Sequence, residues 1–149
     1  MKARTIVGVD VSKLTLDSKL LPAAVSRRVA NTQKGFNQWK EWMQRYKGAD
    51  SEALVVMEHT GLYSHLFELF LQSQGISYVK KPADEIKQSI GLTRGKSDRI
   101  DAARIAQYGW MHRDDLCAEQ YPVAVIIQMK DLLSYRSKLV RDRSGYQCA

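Results

Sequence analysis

Residues Arg4-Thr-Ile-Val-Gly-Val-Asp-Val11 decide the fold. The run is nearly continuous in apolar β-formers, which predicts a central strand buried on both faces. Ser12-Lys13 then makes a short turn. Leu14-Thr-Leu-Asp-Ser-Lys-Leu20 alternates apolar and polar residues, as a strand with one solvated face does. A third, weaker strand is read over 26–31, after Pro22. Three strands so close in sequence predict an antiparallel meander.

From Lys34 the period becomes helical: Phe36, Trp39, Met43 and Tyr46 recur at three- and four-residue steps, and Gly48 stops the run. Ala53-Leu-Val-Val-Met57 reads as another buried strand, ending at Glu58. Leu62, Leu66, Leu69 and Phe70 mark a second helix that ends before Gly75. A short strand is expected over 76–80, and Pro82 begins a helix through about Ile90. Residues 91–97 form a basic loop, and a further helix starts near Asp98 with Ser97 as its expected N-cap. Beyond Pro122, Val125, Met129, Leu132 and Leu139 predict one more helix. It falls short of a proper coiled coil, because Arg136 occupies a seam position and only about three heptads exist.

The order β-β-β-α-β-α-β-α-α predicts an α/β fold of RNase H-like layout. Its mixed sheet has three antiparallel strands followed by two parallel ones, with flanking helices and a C-terminal helical extension. A doubly wound nucleotide fold would alternate strand and helix from the start. The expected division is a domain over 1–113 and the extension over 114–149.

Length and composition set outer bounds. At 149 residues, 44% hydrophobic and 26% charged, the chain reads as one soluble, core-forming domain with an appendage. No apolar run approaches the ~20 residues of a membrane span, and the opening MKARTIVGVD has no signal-peptide profile. Cys117 and Cys148 form no disulfide framework or metal spacing, so a reducing cytoplasm is the expected location. The net charge of +7 predicts a polyanion partner. It is unevenly spread: residues 51–79 carry Glu52, Glu58 and Glu68 without any Lys or Arg, between two basic flanks.

Four carboxylates stand out. Asp10, inside an apolar strand, is costly to bury unless paired with a cation or well hydrogen-bonded. Glu58 repeats the pattern at the end of a second apolar strand, so the two acids converge if the strands are neighbours. Asp98 and Asp101, three apart, project from nearly the same helix face. Ala102, Ile105 and Gly109 share Asp98's side and form a small, apolar stripe suited to packing on a sheet. Each acid alone also fits a structural role: a buried ion pair for Asp10, a solvated strand end for Glu58, dipole complementation for the helical pair. Together, four oxygen donors without Cys or clustered His favour Mg²⁺ or Mn²⁺ over Zn²⁺. Two such ions about 4 Å apart stabilise the attacking and leaving oxygens of a phosphoryl transfer. Arg94, Lys96, Arg99 and Arg104 are then expected to hold a nucleic-acid backbone, with Lys13 as a further phosphate contact.

The blocks Gly8-Val-Asp-Val-Ser-Lys13, Met57-Glu-His-Thr-Gly61 and Gly95-Lys-Ser-Asp-Arg-Ile-Asp-Ala102 resemble the three motif blocks of the DEDD transposases. These are the recombinases of the one-ten family of bacterial insertion sequences, related to the Piv-type DNA invertases. The likeness covers residues 4 to about 113, and Lys-Ser-Asp-Arg-Ile-Asp-Ala is its most specific part. The resemblance implies a RuvC-like domain whose acidic tetrad, here Asp10, Glu58, Asp98 and Asp101, is catalytic and binds two divalent ions. It implies DNA as partner and, in some members, a structured bridge RNA. It also implies a C-terminal domain supplying a serine nucleophile, which the chain is expected to stop short of. Ser144, in Arg-Asp-Arg-Ser-Gly, reads as a surface serine. Strand cleavage and exchange in transposition would then be incomplete in this chain alone.

The alternative is a non-catalytic DNA- or RNA-binding module that assembles with a second copy through the C-terminal helix, over 123–147. A sugar-kinase or actin-like ATPase fits less well, because Asp10 is followed by Val-Ser-Lys without a phosphate-binding glycine. A DEDD exonuclease would place a second acid where Ser12 stands. His59 fits a strand-end hydrogen bond better than a role at a scissile phosphate, whereas Tyr63 follows Thr60-Gly61 closely enough to face the site. His65 and His112 fall on expected helices without partners. Trp39, Trp42 and Trp110 are expected in the core or an interface.

Overall fold

The computed structural model describes residues 4–59, 61–91, 98–119 and 124–147, with the side chains of 98–100, 124–127 and 147 excepted. The chain divides into two compact units, Met1–Glu119 and Gln120–Ala149.

The first unit is built on five strands: β1 (Arg4–Val11), β2 (Thr15–Leu21), β3 (Val25–Ala30), β4 (Glu52–Glu58) and β5 (Ser77–Lys81). Their spatial order is β3-β2-β1-β4-β5. β1 pairs antiparallel with β2, and β2 with β3. β4 runs parallel to both β1 and β5. This is the expected mixed sheet, with the apolar run of β1 at its centre. The turn after β1 is closed by the Ser12 amide donating to the Thr15 carbonyl at 2.9 Å and the Thr15 amide donating to Ser12 Oγ at 3.1 Å.

Helices α1 (Gln33–Tyr46) and α2 (His65–Ser73) cover one face, where Val7, Val9, Leu16, Leu20, Val55 and Met57 meet Phe36, Trp39, Phe67 and Phe70. Thr32 caps α1, its side-chain oxygen accepting from the Gly35 amide at 3.2 Å. Trp39 meets Phe67 edge-on at 5.0 Å and donates its indole N–H to Ser18 Oγ at 2.9 Å. Trp42 is buried as expected, whereas Tyr46, read into the same stripe, is 43% exposed.

The apolar face of α2 is corrected in part. Leu62, Leu66, Leu69 and Phe70 were expected to define it; Phe70 is buried, but Phe67 and Leu71 join it there and the three leucines are exposed. A 3-10 turn over Gly61–Ser64 precedes the helix and resets its phase. The aromatic contacts of Phe67 and Phe70 with Phe36 then choose the buried side.

Helices α3 (Ala83–Ile90) and α4 (Asp98–Met111) cover the opposite face, over Ile6, Leu54, Val56 and Val79. Ala102, Ile105 and Gly109 are buried there, as the small-residue stripe predicts. A second correction follows from this layer. The polar side of β2 was expected to face solvent, but α4 packs over β2 as well as β1. Asp17 is consequently only 3% exposed.

The segment after α4 stays with the first unit. Leu116 joins the α3/α4 core, and the Glu119 amide donates to the Tyr78 carbonyl at 2.9 Å. Arg4 ties the start of β1 to this segment, its Nη1 donating to the carbonyls of Arg113 and Leu116. The second unit holds α5 (Ala124–Gln147), whose Met129, Leu132 and Leu139 are exposed within it. Among the described residues no helix is long and apolar enough to cross a membrane.

Candidate metal and nucleic-acid site

Parallel pairing of β1 with β4 matches Val9 to Met57. The next residue on each strand is an acid, Asp10 on β1 and Glu58 on β4. Both belong to the face covered by α3 and α4, because Ile6 and Gly8 alternate with Asp10 as Leu54 and Val56 do with Glu58. Each is half-buried at the strand end.

The direction of α4 fixes what lies above them. Gly109 packs against Ile6 and Val56, whereas Gly8 lies beneath Ala102 and Ala106. The helix therefore runs opposite to β1. A two-residue step along a strand covers ~6.6 Å, which a helix matches in about four residues. The step from Gly8 to Asp10 thus leads from Ala102–Ala106 back to the first turn of α4, the turn of Asp98 and Asp101. Glycine at 8 and 109 permits this close approach, which draws the helix start onto the sheet edge.

Asp101 is half-buried, its Oδ1 lying 3.6 Å from Nη1 of Arg104 one turn further on. The Asp98 carboxylate lies outside the described residues, as do Arg94, Lys96, Ser97 and the side chain of Arg99. Lys13 is exposed in the turn after β1, beyond Asp10. Among the described residues no three Asp, Glu, His or Cys side chains group as a metal site. The fold thus brings Asp10 and Glu58 to one edge and turns Asp101 towards Arg104. In donor chemistry the carboxylate oxygens of Asp10, Glu58 and Asp101 suit a hard divalent cation.

Other readings resolve within the first unit. The His59 amide donates to the Lys81 carbonyl at 3.0 Å, a backbone bond, and the residue is exposed. Tyr63 is exposed, and its carbonyl accepts from Asn31 Nδ2 at 3.0 Å. His112 departs from expectation: its Nε2 lies 2.8 Å from Ser89 Oγ, and its ring contacts Tyr108 at 4.7 Å. These residues line a cleft of about 420 Å³ with Lys81, Glu85 and Leu116. Tyr108 donates to Glu85, and burial together with that bond pushes the phenol up to about 12. The same bond, helped by Lys81, holds Glu85 below the usual carboxylate range.

One acid escaped the sequence reading. Asp17, directly opposite Asp10 on β2, is buried and ion-paired with Arg28. An acid at an alternating strand position looks like surface, and only the cover of α4 reveals it.

A family model described as Transposase, that of the DEDD transposases of IS110 type, matches residues 7–148. Among solved structures, T. thermophilus RuvC in complex with Holliday junction substrate superposes with a TM-score of 0.53 at 12% identity. The match covers 78% of this chain and 98% of that one. At such identity it shows a shared fold, the RuvC-like arrangement. No curated protein matches by sequence.

Proposed function

The chain belongs to the IS110-type DEDD transposase family, and from that premise we propose that its first unit is the metal- and DNA-binding part of a recombinase. Asp10, Glu58, Asp98 and Asp101 are the ligands for Mg²⁺ or Mn²⁺ in this reading. The observation that carries it is the juxtaposition of Asp10 and Glu58, each the residue after the Val9–Met57 pair, under the first turn of α4. When bound, two such cations supply Lewis-acid stabilisation to the attacking and leaving oxygens of a phosphoryl transfer.

The chain's own residues prepare that step. Asp10 and Glu58 present anionic oxygens at a rigid sheet edge, where strand pairing fixes their spacing. Arg104 stands beside Asp101 and places positive charge where a DNA phosphate would approach. Lys13, Arg94, Lys96 and Arg99 extend that charge along the nucleic-acid backbone. The reading assigns the serine nucleophile of strand cleavage and exchange to the C-terminal transposase domain that the family likeness implies. A bridge RNA is a second polyanion the same basic surface would accept. Self-association is assigned to the exposed apolar positions of α5.

The test is thermal unfolding of the full chain in Mn²⁺. The wild type is expected to gain several degrees at saturating metal, and Asp10→Asn to lose that gain while keeping its metal-free melting temperature. A wild type indifferent to Mn²⁺ would overturn the catalytic reading and leave a nucleic-acid-binding module.

A further inference from the structure

A row of charged side chains crosses the sheet on the face covered by α4. Strand register sets Arg28 of β3 opposite Asp17 of β2, and Asp17 opposite Asp10 of β1. On the other side of β1, Glu58 of β4 stands opposite Lys81 of β5. Three acidic residues therefore stand at neighbouring register positions between an arginine and a lysine.

The two cations are engaged differently. Lys81 Nζ lies 3.3 Å from Glu85 Oε1, on α3. Arg28 grips Asp17 with two nitrogens, Nε donating to Oδ1 at 2.8 Å and Nη2 to Oδ2 at 3.1 Å. The Asp17 side chain is 4% exposed, against 50% for Arg28. A buried carboxylate thus has both oxygens taken by one planar fork, a geometry that lysine cannot reproduce.

Side chains directly opposed on antiparallel strands have Cβ atoms ~4.5–5.5 Å apart, close enough for one cation to bridge two carboxylates. Asp17 is therefore a rival metal ligand at Asp10. We propose that Arg28 is a positioning residue that withholds Asp17 from the metal. Its fork takes one lone pair on each Asp17 oxygen and neutralises the carboxylate's charge, so the cation set is drawn from Asp10 and the acids of β4 and α4. Without the guanidinium, the buried Asp17 carboxylate is left uncompensated and turns to the nearest cation, which is the metal. The inference rests on the metal-binding reading of Asp10.

Calorimetric titration of the full chain with Mn²⁺ tests it. Because affinity at oxygen-ligand sites follows ligand charge, Arg28→Gln is expected to tighten Mn²⁺ binding by about tenfold. Adding Asp17→Asn to that variant is expected to restore the wild-type affinity, since the recruited carboxylate is gone. Arg28→Lys, which keeps the charge without the fork, is expected to fall between wild type and Arg28→Gln. It carries the test if the glutamine variant does not fold. Unchanged affinity in the Arg28 variants, or tight binding that survives loss of Asp17, overturns the proposal. Asp10→Asn separates the two levels: wild-type binding in that variant overturns both the metal reading and the inference. Lost binding there with unchanged Arg28 variants overturns the inference alone.

Discussion

Gly8 of β1 lies directly beneath Ala106 of α4, so closely that a Cβ at Gly8 would stand 2.6 Å from the Ala106 Cα and from the Ala102 carbonyl oxygen. The obstacle is helix backbone, which cannot swing aside as a side chain does. Gly8→Ala is therefore expected to cost about 3 kcal/mol in urea unfolding. By lifting the helix start off Asp10, it is also expected to shrink the Mn²⁺-induced rise in melting temperature. A variant as stable as wild type would mean that α4 does not sit on β1 as described.

Trp39 buries its ring against Phe67 and gives its indole N–H to Ser18, which is itself 2% exposed. Trp39→Phe leaves that hydroxyl without its donor and removes ring volume, an expected loss of about 2 kcal/mol. Ser18→Ala in the same background should recover part of it. A double-mutant cycle with no coupling between the two positions would contradict the bond.

Two tyrosines should titrate late. Burial, foremost, raises Tyr78 to about 12, and burial with the Glu85 bond does the same for Tyr108. A phenol whose folded value lies above its unfolded value of about 10 favours the folded state fully below pH 10. That contribution is lost as pH rises from about 10 to 12. In an absorbance titration, Tyr78 and Tyr108 are expected to ionise near pH 12 or only with alkaline unfolding. Tyr78→Phe with Tyr108→Phe should remove the late step. Its persistence would assign the step elsewhere.

In the proposed site, nucleic-acid affinity should carry the signature of Arg94 and Lys96. Each phosphate contact contributes about 0.9 to the slope of log affinity against log salt for duplex DNA. Arg94→Ala with Lys96→Ala is thus expected to flatten the slope by about 1.8 and to weaken binding across sequences alike. An unchanged slope would remove both residues from the interface.

Leu132 and Leu139 are 67% and 50% exposed within the second unit, seven residues apart on α5. Replacing both with Glu places like charges on the apolar stripe. If that stripe joins two copies, sedimentation should show the wild-type oligomer become a monomer. The same mass for variant and wild type would exclude this route of association.

The sequence by itself determined the strands and their layout, because local periodicity reports how many faces an element buries. The unbroken apolar run of β1 could only be a central strand, and the alternation after it only a hairpin partner. Asp10 and Glu58 were legible as strand-end acids for the same reason, each closing an apolar run. The family likeness rested on these local blocks and agrees with the family match.

What only the tertiary structure decided is which face each element turns to its neighbours. Leu62, Leu66 and Leu69 satisfied a helical period with Phe70, yet the packing of Phe67 beside Phe70 on Phe36 left the three leucines exposed. Asp17 read as a surface acid because its cover, α4, lies more than eighty residues further along the chain. Its partner Arg28 is on another strand. Ser89 and His112 likewise meet only where α3 and the end of α4 pack together. Periodicity is a one-dimensional record of burial, whereas ion pairs and packing phase depend on contacts between distant segments.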